Sequence, residues 1–219
     1  MSTSYPDIPD ATDPLGQVLS CTDAIETGSV SGLPLAALYE LRANAYDALG
    51  ETSRALDDYE KALQITPNAS SLHYNRGVCL AARQDFSGAL QCYNDALNID
   101  PRSLPALFNR AELLQREGHL EAALRDISAA ILLEPNIAQL HRLRGAILIG
   151  RGELEQAILE ESDAIRLDPS LAIAYLLRSI AYIRTGDSNS GLRDARSAIE
   201  RDPTLSQYVR LNDTSVVPE

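Results

Sequence analysis

The chain of 219 residues is 45% hydrophobic yet holds only nine tyrosines, two phenylalanines and no tryptophan, a balance suited to interlocking helices of alanine and leucine. Its net charge of −12 argues against nucleic acid, whose phosphates need a basic stripe, and against an anionic membrane surface. Three cysteines, Cys21, Cys79 and Cys92, are an odd set without a CxxC pair, so they indicate neither a disulfide framework nor a zinc site and read as small core residues in a reducing compartment.

Residues 1–14 carry three prolines and three aspartates among few apolar groups and read as a disordered leader. They show no basic segment followed by an apolar run, and no window approaches 18 continuous apolar residues. The expectation is a cytoplasmic protein. The charge is uneven: residues 1–100 hold 14 acids against 5 bases, and residues 101–219 hold 17 against 14, so steering by charge should act at the N-terminal half and on a basic partner.

From 15 to 25 the apolar residues Leu15, Val18, Leu19, Ala24 and Ile25 fall at helical spacing, as the second helix of a truncated repeat would. A linker with Gly28, Gly32 and Pro34 follows, so 15–35 reads as a partial repeat and its linker. From Ala36 the chain keeps a 34-residue period through five units, 36–69, 70–103, 104–137, 138–171 and 172–205, with Pro67, Pro101, Pro135, Pro169 and Pro203 in phase. A fixed period of this length means a solenoid of stacked units. Each unit reads as two helices; in the first, these run over about 35–49 and 53–65. Gly50, Gly118, Gly152 and Gly186 stop the first helix in the left-handed conformation, and Gln84 replaces the glycine in the second unit. Each proline closes the second helix. Beyond Pro203, residues 206–219 read as a short capping helix, with Thr204 as its N-cap, and a fraying tail.

Counted from each unit start, small residues occupy position eight (Ala43, Gly77, Ala111, Gly145, Ser179), position twenty (Ala55, Ala89, Ala123, Ala157, Gly191) and position twenty-seven (Ala62, Ala96, Ala130, Ala164, Ala198). Larger residues such as Tyr39, Tyr46, Tyr59, Tyr93 and Leu114 stand between them. This phased pattern of small, aromatic and proline positions resembles the tetratricopeptide repeat over about 36–205. The resemblance implies an all-α, right-handed superhelical solenoid of antiparallel helix pairs with a concave, ligand-binding face.

An arginine stands at position seven of every unit: Arg42, Arg76, Arg110, Arg144 and Arg178. Its neighbours on the helix surface are mostly apolar, so the stem is part-buried and the charge needs a partner. Position twenty-three offers Asp58, Asp126, Glu160 and Asp194, with Cys92 as the exception and Asp95 as a substitute. An internal arginine-to-carboxylate ladder is expected, with an anion-binding row as the functional alternative. His73 and His141 hold equivalent fourth positions two units apart and read as packing residues. No nucleophile, paired-carboxylate or phosphate-loop motif stands out, so no catalytic, cofactor or metal role is expected.

Positions two, five, nine and twelve of each first helix centre about 130° from the face that meets the second helix. On the resemblance they line the concave face: Glu40, Asn44 and Asp47; Tyr74 and Val78; Phe108, Glu112 and Gln115; Arg142 and Ile149; Ile173, Leu176, Ile180 and Ile183. One end is acidic and the other apolar. Relatives that clamp a chaperone's C-terminal carboxylate carry lysine at position five beside an asparagine at nine. Here Glu40 precedes Asn44, which breaks that clamp. The apolar end needs a cover: the chain's own tail with Tyr208, Val209 and Leu211, a second copy of the chain as a homodimer, or a partner segment. The expected function is a non-catalytic scaffold or adaptor that binds a partner protein's peptide or helix in the groove. The competing reading is a structural subunit that self-associates through its apolar C-terminal face.

Overall fold

The computed structural model of the protein describes residues 13–28 and 30–209. These form eleven α-helices: α1 (Pro14–Glu26), α2 (Leu33–Ala48), α3 (Thr52–Ile65), α4 (Ser70–Ala82), α5 (Phe86–Ile99), α6 (Leu104–Arg116), α7 (Leu120–Leu133), α8 (Ala138–Arg151), α9 (Leu154–Leu167), α10 (Ala172–Arg184) and α11 (Ser188–Arg201). A short 3₁₀ helix (Pro203–Tyr208) follows. Residues 1–12 of the leader and the last ten residues lie outside the described residues, while Asp13 caps α1 by accepting from the Gly16 amide and Pro14 opens that helix. Contacts gather into two compact units, one through Ala106 and one from Leu107 onward. In the first, α1 packs on α2, α2 on α3, α3 on α4 and α4 on α5; in the second the order runs from α7 to α11 and the 3₁₀ helix.

The same turn is built five times. After α2, Gly50 takes φ +76° and the amide of Glu51 donates to the Tyr46 carbonyl at 2.8 Å, closing the helix end. The amides of Asp85, His119, Glu153 and Asp187 donate in the same way to Leu80, Leu114, Leu148 and Tyr182 at 2.8–2.9 Å. The geometry admits a residue without Cβ at no cost, and only Gln84, at φ +64°, pays the steric penalty. Downstream, Asp85 and Asp187 cap α5 and α11 by accepting from the amides of Gly88 and Ser190.

Within each pair the helices meet at the small positions. Ala43, Ala55 and Ala62 are fully buried in one cluster with Tyr59, Leu72 and Cys79. In the last pair, Ser179 occupies position eight, and its hydroxyl donates to the Gly191 carbonyl at 2.8 Å. The chain end differs from expectation. Asp202, not Thr204, caps the 3₁₀ helix, because its carboxylate accepts from the Thr204 amide while Pro203, which has no N–H, sits at the first helical position.

Replacing Gln84 by glycine should stabilise the protein by about 1 kcal/mol by removing the left-handed penalty. Urea denaturation of the two forms checks this; equal midpoints would mean that the Gln84 side chain makes a compensating contact.

Candidate functional site

Four of the five arginines in the row are closed by carboxylates. Arg42 donates from Nε and Nη2 to both oxygens of Asp58, at 2.6 and 3.0 Å. Arg110 makes the same fork to Asp126 at 2.7 Å in both arms, and Arg178 makes it to Asp194 at 2.7 and 3.0 Å. Arg144 donates through one nitrogen to Glu160 at 2.5 Å. Arg76 turns to the Cys92 sulfur at 3.3 Å, while Asp95, the expected substitute, accepts from Gln91 and lies 3.9 Å from His73. A cysteine at position twenty-three therefore leaves its arginine with a weak acceptor. Tyr39 and Tyr46 flank the Arg42 guanidinium, and Tyr175 and Tyr182 flank that of Arg178, at 5.6–6.0 Å. In four of its five members the row is filled by carboxylates of the same chain and joins first helix to second in its repeat, which leaves the anion-binding alternative without a row of open cations.

Side chains of Arg42 and Asp58 are only 11% and 3% exposed. Removing one partner strands the other. Asp58→Ala should cost about 3 kcal/mol in urea denaturation, and the paired replacement of Arg42 by Met and Asp58 by Leu should recover most of it. Equal losses in the single and double variants would show that the pair contributes packing only.

Both equivalent histidines bind the preceding proline turn. The Nε2 of His73 donates to the Pro67 carbonyl, and that of His141 to the Pro135 carbonyl, each at 2.9 Å. His141 also meets Glu160 at 2.9 Å through Nδ1. Position four thus fastens a first helix to the turn that delivers it.

In the first two repeats the expected face residues are organised by two groups the spacing argument left out, Tyr59 and Cys79. The Tyr59 hydroxyl donates to Asn44 Oδ1 at 2.5 Å, and the Cys79 thiol donates to Asp47 Oδ1 at 3.1 Å. Burial, reinforced by Asp47, pushes the Cys79 thiol up to about 12, and burial likewise raises Tyr59. Glu40 is also raised by burial, offset by a hydrogen bond from Ser71. The Tyr74 ring lies 6.0 Å from that of Tyr93, tilted by 34°, and so stands braced. Asn44, Asp47 and Tyr74 are held in place without a ligand. The clue in the sequence was tyrosine at position twenty-four of two units, Tyr59 and Tyr93, where a side chain reaches past the first helix.

All three cysteines are buried, so at pH 8 a thiol-specific reagent should label the native protein far more slowly than the urea-unfolded chain. Rapid labelling of Cys79 in the native state would contradict its burial.

In the compact unit from Leu107 onward, Arg142 reaches Glu112 at 3.4 Å, Phe108, Gln115 and Ile173 are partly exposed, and the Ile149 carbonyl accepts from Arg184 at 3.0 Å. Two expected face residues are placed differently. Leu176 is 5% exposed, buried with Leu205 and Val209, and Ile173 and Ile180 pack against the same cluster. The chain's own end is thus one cover: Val209 takes part as expected, Leu205 joins it, Tyr208 is 41% exposed and Leu211 lies outside the described residues. Ile183 packs over Gly191 of α11, where any added Cβ would meet it. Position twelve is four residues beyond the small position eight and so shares its face.

A family profile of the tetratricopeptide repeat matches residues 40–103 and 108–172. The chain belongs to the tetratricopeptide repeat family. Several solved structures share the tetratricopeptide fold. MamA, residues 41 to the end, from Desulfovibrio magneticus RS-1 is 21% identical with a TM-score of 0.73 over 77% of this chain and 96% of that one. YrrB, described as a TPR protein with an unusual peptide-binding site, is 22% identical with a TM-score of 0.73 over 85% and 94%. PilF from Pseudomonas aeruginosa is 19% identical with a TM-score of 0.69 over 80% and 82%. At these identities the likeness is one of fold. No curated protein matches the chain.

Proposed function

We propose that this tetratricopeptide protein is a non-catalytic scaffold whose first-helix faces accept a segment of another protein, with the first unit taking a segment that carries basic side chains. The observation that carries the reading is the pre-set group Glu40, Asn44, Asp47 and Tyr74, whose side chains are positioned by Ser71, Tyr59, Cys79 and Tyr93. Rigid polar and aromatic groups lower the ordering cost of binding. Two carboxylates in that group, within a half-chain of net −9, favour a cationic occupant. The peptide-binding site ascribed to YrrB, a neighbour in fold, adds support by analogy. In the last repeat the burial of Leu176 beneath Leu205 and Val209 reduces the apolar area left for self-association.

The test is affinity capture from native lysate followed by titration of the captured protein's segments against two forms of the chain. These are the wild type and a Glu40→Lys, Tyr74→Glu variant shown by circular dichroism to remain helical. A basic segment bound by the wild type and at least tenfold weaker on the variant supports the reading. Equal binding to both, or recovery of the bait alone, overturns it.

A further inference from the structure

In four of the five units, position twenty-four is Tyr59, Tyr93, Ile127 or Ala195; in the fourth unit it is Glu161. Glu161 lies at the middle of α9, is 0% exposed, and both carboxyl oxygens lack a hydrogen-bond partner. The space it fills exists because position eight of α8 is Gly145, where any added Cβ would strike the carboxyl group. Each charged group facing it is engaged elsewhere. Arg142 on α8 reaches Glu112, Glu160 on α9 is held by Arg144 and His141, and Arg178 on α10 is forked onto Asp194.

A carboxylate in that position would be a buried charge with no donor, at a cost far above that of a neutral acid. We propose that the fourth repeat contains a proton-operated lock, in which Glu161 packs as the uncharged acid and its deprotonation loosens α9 from α8 and α10. Burial pushes this carboxyl well above its ordinary 4.5, with Glu160 adding to the rise and Arg142 and Arg178 opposing it. The sign follows from linkage. Well below pH 4.5, folded and unfolded chains both hold the proton. Above that value the unfolded chain releases it and the folded unit keeps it, so stability falls as pH rises until the folded carboxyl itself ionises. In that window the folding constant drops by up to tenfold per pH unit. The lock lies next to Arg142, so loosening would reach the first-helix face of α8.

The experiment compares urea denaturation of the full chain and of Glu161→Gln from pH 5 to pH 9, which cancels the titration of the other acids. The ratio of the variant's folding constant to the wild type's should rise by about tenfold or more between pH 5 and pH 7. Hydrogen exchange, corrected for intrinsic rate, should localise the wild type's added opening to α8, α9 and α10. Parallel pH profiles, or opening confined to other helices, would overturn the proposal. Should the variant fail to fold, the wild type labelled at the glutamate side-chain carboxyl carbon decides by NMR. Followed from pH 5 to pH 9, one glutamate resonance that titrates well above all the others supports the lock, and its absence sinks it.

Discussion

The helix pairs of this protein all depend on one constraint: two backbones must approach at a point where neither helix carries a large side chain. Ala43 with Ala55 and Ala62 meets it in the first repeat, and Ser179 with Gly191, whose carbonyl accepts the serine hydroxyl, meets it in the last. Because packing falls steeply once contact is lost, these positions tolerate almost no added volume. The larger side chains are displaced to either side of the contact. There they divide into those that join repeat to repeat and those left on the outer faces.

The arginine row follows from the same close approach. Position seven neighbours the small position eight, so its stem is part-buried and its guanidinium meets the second helix sixteen residues later. A carboxylate there converts a buried cation into a forked pair, which is how Asp58, Asp126 and Asp194 are used. Such pairs hold register and orientation more than they add stability, since desolvation offsets much of their attraction. The repeated arginine, which on pattern alone could have been a ligand row, is accounted for by folding.

Position twenty-four shows how one site in the repeat serves different ends. A tyrosine there reaches the far side of the first helix, as Tyr59 does to hold Asn44. Tyr93 and Glu161 each press against a glycine, Gly77 and Gly145. The repeat thus carries a polar brace in its first copy and a buried acid in its fourth.

Much of this was legible in the sequence. The 34-residue period, the glycine stops and the small positions predicted helix pairs whose ends fall within about two residues of those found, because each signal is local to one turn or one contact. The arginine partners were legible because their sixteen-residue spacing recurs. Less legible were contacts that cross between elements without a repeating pattern: the Cys79 thiol on Asp47, Asp95 turning away from Arg76, Ile183 packing over Gly191, and Leu176 buried by Leu205 and Val209. Position alone places a side chain on a helix face; what covers that face depends on the neighbouring element.

The sequence by itself determined the architecture, since periodicity, capping and small-residue spacing act over one repeat and are written in every copy. Only the tertiary structure decided which polar groups are satisfied and which are not. The difference between Asp58, forked to an arginine, and Glu161, buried without a donor, lies in what three-dimensional packing brings within 3 Å of each carboxyl group.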